Sequence, residues 1–232
     1  MNNWPNIIQN NLLPPRCLLC ERPGFDGMDL CLACYQDLHR NLACCYRCAE
    51  PFETALPSPQ LCGRCLSKAP AFEETHAPFL YDAGMRYLIG QLKFGHRQRN
   101  ARLLGQLLAH ELQGNAERPQ CLIPMPLHRQ RYVERGFNQS LEIARHVSRI
   151  LAVPLALNAC SRIRDTPHQA NLPARQRRKN MTRAFAASAL PDYRHVAILD
   201  DVMTTGSTVN ALAMALRKAG AERVDVWVCA RA

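Results

Sequence analysis

Long apolar runs are missing from this 232-residue sequence. A membrane-crossing helix needs about 20 such residues in a row, so no span is expected. Met1 to Pro15 lack the basic start and apolar core of an export signal, and the expected compartment is the cytoplasm. Trp4, Ile7, Ile8, Leu12 and Leu13 suit one short amphipathic helix, docked on the protein rather than on a membrane. Acidic residues are few: 19 against 29 lysines and arginines, giving a formal charge of +10. Such an excess favours an anionic partner, nucleic acid or a polyphosphate. Aromatic residues make up only 6% of the chain, so contact with a nucleic-acid backbone is expected ahead of base stacking.

Glycine is scarce where two common nucleotide folds require it. The run Val196-Ala-Ile-Leu-Asp200-Asp201-Val-Met-Thr204-Thr205-Gly206-Ser207-Thr208-Val209 has the strand-turn-helix layout of a phosphate site. It contains one glycine and no lysine, which excludes both a P-loop and a dinucleotide fingerprint. Val209, Leu212, Ala213, Leu216 and Ala219 fall at helical spacing, with Arg217 and Lys218 in the last turn and Gly220 to close. The turn from Thr204 to Thr208 therefore lies at a helix N-terminus, where unpaired N–H groups and the helix dipole attract anions. Two carboxylates beside such a cradle make sense if the ligand also carries sugar hydroxyls or Mg²⁺. An ordinary strand-to-helix turn with a hydroxyl cap is the competing reading.

The twelve cysteines, in a chain without an export signal, point to metal rather than disulfides. Eight form C-x-x-C pairs: Cys17/Cys20, Cys31/Cys34, Cys45/Cys48 and Cys62/Cys65. Two pairs complete one tetrahedral structural zinc site, so two zinc ions are expected. Sequential pairing closes the shorter loops at lower entropic cost, with an interleaved pairing as the alternative. Cys44 has the wrong spacing to Cys48 and is left out; Cys121, Cys160 and Cys229 fall in expected strands and read as buried apolar residues. With so little apolar residue between the pairs, metal must supply the folding free energy of this module. Eight thiolates and two zinc ions would lower the formal charge to about +6. Arg16, Arg22, Arg40, Arg47, Arg64 and Lys68 permit the module to touch nucleic acid without requiring it.

The expected domains are a zinc module over residues 1–70 and a second domain over residues 79–232, joined by a linker from Ser67 to Pro78. Phe79 to Ala83 suits a short strand. Met85, Leu88, Ile89 and Leu92 mark a helix ending near Gly95, and Leu103, Leu104, Leu107, Leu108 and Leu112 mark another. Lys93 and Arg97 at the break between them fit a solvated face as well as a site. Cys121 to Pro126 reads as a strand, followed by a basic loop carrying Arg129, Arg131 and Arg135, and by a helix capped by Asn138. Guanidinium forks match phosphate oxygens, so this loop is a candidate diphosphate clamp. Val153 to Ala159 is an expected strand. Ser161 to Arg183 is long, basic and poor in core residues, which suits a lid over an anionic ligand. Val224, Val226 and Val228 alternate in a last strand, expected at the sheet edge.

LDDVMTTGST resembles the phosphoribosyl-pyrophosphate (PRPP) motif of type I phosphoribosyltransferases. The order of parts, two zinc knuckles, LKFGHR, IPMPLHRQRYVERGFNQS, a T-x-x-Q-x-x-L and R-x-x-N-x-x-x-x-F pattern, then the PRPP motif, resembles the ComF/GntX family of competence and DNA-utilisation proteins over nearly the whole chain. The resemblance implies an α/β fold: a type I phosphoribosyltransferase-like parallel sheet with helices on both faces, preceded by a small zinc-ribbon module. It implies that Asp200 and Asp201 meet ribose hydroxyls, while Thr204, Thr205, Gly206, Ser207 and Thr208 wrap the 5-phosphate, with Mg²⁺ bridging diphosphate and ribose. The lid pattern falls on Thr166, Gln169, Leu172, Arg177, Asn180 and Phe185. The leading expectation is a DNA uptake or utilisation protein that binds PRPP and contacts single-stranded DNA. The alternative is an active phosphoribosyltransferase acting on a base or amine that no residue identifies. In a third reading, the zinc module recruits a helicase or other DNA-uptake protein.

Overall fold

The computed structural model describes residues 14–54, 60–95, 97–163, 184–190 and 192–232. The expected N-terminal helix and most of the expected lid, Gln169, Arg177 and Asn180 included, lie outside the described residues. The elements in chain order are α1 (Leu32–Gln36), α2 (Gly63–Ser67), β1 (Thr75–His76), β2 (Phe79–Leu80), α3 (Ala83–Phe94), α4 (Gln98–Leu112) and β3 (Cys121–Pro124). There follow α5 (Arg129–Arg135), α6 (Gln139–Leu151), β4 (Cys160–Arg162), β5 (Phe185–Ala187), β6 (His195–Met203), α7 (Ser207–Lys218) and β7 (Arg223–Arg231).

Five strands form one parallel sheet in the order β1-β7-β6-β3, with β2 also on β7. A parallel sheet needs crossovers on its faces and is buried on both sides, and the side chains here divide accordingly. Successive residues of a strand point to opposite faces. Ala197 and Leu199 of β6 and Trp227 and Cys229 of β7 pack with Leu88, Leu92, Leu104, Leu108, Ile143 and Val147 from α3, α4 and α6. Val196 and Ile198, with Val224, Val226 and Val228, pack on the other face with Val209, Leu212 and Leu216 of α7.

β7 is an interior strand, not the expected edge. Its valine alternation describes one face only; Trp227, Cys229 and Ala230 are also buried, and that double burial marks an inner strand. The edge beside it is taken by β1, which pairs with the middle of β7, and β2, which pairs with its C-terminal end, on either side of Pro78. Proline cannot donate to a ladder, so the edge strand is interrupted there. The expected linker is thus partly sheet. Leu127 to Gln139 holds α5 rather than a loop alone, ended by Gly136 in the left-handed region at φ 75°. Val153 to Ala159 is not a strand; it makes one parallel bridge, Leu155 to Leu122, and the chain pairs only later, as β4 antiparallel to β5. Cys121 and Cys229 are buried as expected, while Cys160 is half-buried.

The zinc module lies along the sheet edge and contributes to both cores. Cys17, Met28, Leu30 and Cys31 join the face of α3 and α4. Cys45, Cys48, Cys65 and Phe72 join the face of α7. Between the two knuckles the chain adds to the edge: Arg40 bridges antiparallel to Phe79, and its guanidinium lies 4.7 Å from the Tyr35 and Phe79 ring centroids. No described helix is long and apolar enough to cross a membrane.

Candidate functional site

The sheet's C-terminal edge is where crevices form in open α/β folds, and β6 carries the acidic pair to it. Asp201 is 3% exposed and Asp200 half-buried. The Ser140 hydroxyl donates to Asp200 Oδ1 at 2.7 Å, and the Asp201 N–H donates to the same oxygen at 2.9 Å. Ser140 is held there because Asn138 caps α6, accepting from the N–H groups of Ser140 and Leu141 and donating to the Met125 carbonyl. Asp201 pairs with Lys93, which reaches across from the last turn of α3. Burial, then the neighbouring Asp201 charge, pushes the Asp200 carboxyl up to about 7. Burial disfavours the charged Lys93, but Asp201 and then Asp200 outweigh it and raise the lysine above its ordinary value.

Beyond β6 the chain turns through Thr204, Thr205 and Gly206 into α7. Gly206 is the N-cap at φ 74°, a conformation that costs any side-chain-bearing residue strain. Thr204, Thr205 and Ser207 are exposed, and the Thr205 and Ser207 hydroxyls lie 2.9 Å apart. The N-terminus of a twelve-residue helix, where the Ser207 N–H donates to the Thr205 hydroxyl at 3.4 Å, and three exposed hydroxyls thus lie beside the carboxylates. This arrangement can receive an anion on one side and hydroxyls on the other.

The turn is braced from outside. Buried Arg231 donates to the carbonyls of Met203, at 3.2 Å, and Cys48, at 3.1 Å, and pairs with Glu50. Ala71 donates from its backbone to Asn210 Oδ1 at 2.7 Å. The second knuckle and the segment after it therefore support both ends of the turn.

The cysteines group sequentially. Cys17, Cys20, Cys31 and Cys34 form one cluster and Cys45, Cys48, Cys62 and Cys65 the other, with the four sulfurs of each within 4.8 Å of one another. Separations such as 3.5 Å for Cys20 to Cys31 and 3.6 Å for Cys48 to Cys62 are far beyond a disulfide. They approach the ~3.8 Å edge of a tetrahedron with Zn–S bonds of 2.3 Å. All-thiolate tetrads with no open position fit structural zinc. Cys44 stands outside the second cluster.

Of the other expected residues, Arg129 and Arg131 project from α5, exposed and half-buried respectively. Arg135 donates to Gln139 Oε1 at 2.9 Å, with its guanidinium 5.6 Å from the Phe94 ring centroid. Phe185, the described part of the lid pattern, is buried at the start of β5. Ser140 is absent from the expected site, and Lys93 enters it only on equal terms with a solvated face. A lysine in the last turn of a helix complements the dipole anyway, so only its place in LKFGHR marked it.

Residues 8–66 match the double zinc ribbon domain, and residues 138–232 match the phosphoribosyl transferase domain. The chain is 34% identical to the DNA utilization protein YhgH of Escherichia coli K12 over 225 residues, 94% of this chain and 98% of that protein. It is 33% identical to Competence protein F of Haemophilus influenzae over 230 residues, 94% of this chain and 97% of that protein. A double zinc ribbon, an α/β sheet with an acidic pair at its C-terminal edge and end-to-end similarity to these proteins agree: the chain belongs to the ComF/GntX family of competence and DNA-utilisation proteins.

Proposed function

We propose that this protein serves DNA utilisation or uptake by binding PRPP with Mg²⁺ in its phosphoribosyltransferase-like domain and by contacting single-stranded DNA. The observation that carries the reading is an acidic pair on β6, Asp201 buried and Asp200 half-buried, beside the N-terminus of α7. Asp200 and Asp201 accept from the ribose 2- and 3-hydroxyls, and the turn from Thr204 to Thr208 takes the 5-phosphate. Arg129 and Arg131, with Gln169, Arg177 and Asn180, supply the diphosphate and lid contacts, while the Arg135 guanidinium is engaged by Gln139 and the Phe94 ring. Mg²⁺ neutralises the diphosphate in the bound ligand. The names borne by the E. coli and H. influenzae relatives support the DNA role.

Isothermal titration with PRPP and Mg²⁺ tests the pocket. Binding heat is expected for the native chain and lost in Asp200→Asn with Asp201→Asn; heat unchanged by the double substitution removes the assignment. DNA contact through lysines and arginines predicts an affinity that falls steeply with salt, because each neutralised phosphate releases counterions. Absent or salt-insensitive binding rules it out. Diphosphate release from PRPP, Mg²⁺ and a panel of bases separates binding from turnover.

A further inference from the structure

Phe94 ends α3 with its side chain 75% exposed, one residue after the lysine that pairs with Asp201. It is not an isolated apolar residue. The Arg135 guanidinium lies over its ring at 5.6 Å, and Tyr132, one turn earlier on α5, is 51% exposed. Gln139 accepts from Arg135 and fixes the guanidinium in place, and the next residue, Ser140, donates to Asp200. Lys93, Phe94, Arg135, Gln139 and Ser140 therefore form a continuous rim from one carboxylate round to the other. With one ring face covered by the guanidinium, the exposure of Phe94 lies on its other face and edges.

The surroundings indicate what such a face takes. Arg97 and Arg99, three and five residues after Phe94, are exposed, and they line a groove of about 360 Å³ with Leu18 and Asn100. Arg129 is exposed on the helix that carries Arg135, where Glu134 is the one acid. A flat apolar face backed by one guanidinium, with further exposed arginines in the chain after Phe94 and on α5, matches a base whose neighbouring phosphates extend beyond it. A base in a duplex is already stacked and cannot reach the ring. A free base needs an enclosing pocket, and Phe94 stands open.

We infer that Phe94, backed by the Arg135 guanidinium, is a stacking platform for one unpaired base of single-stranded DNA, with the flanking phosphates on Arg97 and Arg99. The inference rests on the single-stranded DNA reading and adds base contact where the low aromatic content argued for backbone contact alone. It also sets the strand beside the carboxylate pair.

The test is fluorescence anisotropy on the full chain with three probes: an oligothymidylate, the same backbone without bases, and the corresponding duplex. The native protein is expected to bind the oligothymidylate about tenfold more tightly than the abasic strand, the scale of one base-aromatic stack. Phe94→Ala should lose that preference while binding the abasic strand unchanged, and Phe94→Trp should keep it. Equal affinity of the native protein for the first two probes, or an unaltered preference in Phe94→Ala, overturns the platform but leaves salt-dependent DNA contact standing. Binding to none of the probes at low salt overturns both. Circular dichroism of Phe94→Ala checks that the substitution leaves the fold intact, as its exposure leads one to expect.

Discussion

Lys93 and Asp201 are 108 positions apart in the chain, and each makes the other tolerable inside the protein. A lone buried carboxylate is expensive; paired with an ammonium group it is not. Lys93→Ala is therefore expected to cost about 3 kcal/mol in urea unfolding, the scale for stranding one member of a buried pair, and a change near zero would mean the pair is hydrated. Asp200 makes a pH-dependent contribution of known sign. Its carboxyl titrates near 7 in the folded chain, against 3.8 ordinarily, so the folded state holds a proton that the unfolded state has lost. The stability so gained is full below about pH 4 and is lost as pH rises through 7. Asp200→Asn should consequently raise the melting temperature relative to the native protein at pH 8, by more than at pH 5. A pH-independent difference would show that burial and Asp201 do not hold the proton on.

At the scale of elements, the turn between β6 and α7 depends on one backbone conformation. Gly206 has φ 74°, and a Cβ there would meet Met203 Sδ at 3.4 Å, ordinary contact. Strain, not crowding, is what a larger residue would face. Gly206→Ala is expected to cost roughly 1 kcal/mol of stability and to weaken PRPP binding in titration, since relief of the strain re-aims the N–H groups of α7. Unchanged affinity would remove this turn from the phosphate site. The interior position of β7 belongs to this scale too. The alternation of Val224, Val226 and Val228 was legible, but Trp227 and Cys229 look inward only because α3 and α4 cover the other face. Short-range pattern specifies a strand; what covers it is a property of distant segments. The same holds for Val153 to Ala159, which is apolar enough for a strand and finds only one bridging partner.

For the whole molecule, the zinc module is structurally continuous with the phosphoribosyltransferase-like domain. The two knuckles feed opposite cores, and Arg231 joins Cys48 to the Met203 carbonyl that precedes the turn into α7. Structural zinc supplies folding free energy to such modules. Stripping metal with a chelator is accordingly expected to lower the melting of the entire chain in one calorimetric transition, and to abolish PRPP binding along with it. A second domain that melts at an unchanged temperature would show that the module is a separate appendage.

The sequence alone determined what rests on local spacing: four C-x-x-C pairs, helices marked by leucine periodicity, an Asn138 cap, and an acidic pair ahead of a glycine-centred turn; the sequential grouping of the pairs was favoured there and decided by the fold. Ligand spacing and helical period are set by bond geometry over a few residues, so they can be read without a fold. Tertiary structure alone decided that Lys93 meets Asp201, that Ser140 meets Asp200, that Arg135 lies on Phe94, and that a cysteine knuckle braces the turn between β6 and α7. Those contacts join segments tens to nearly two hundred positions apart, and nothing in the identity of either partner selects the other until the sheet and its helices have brought them together.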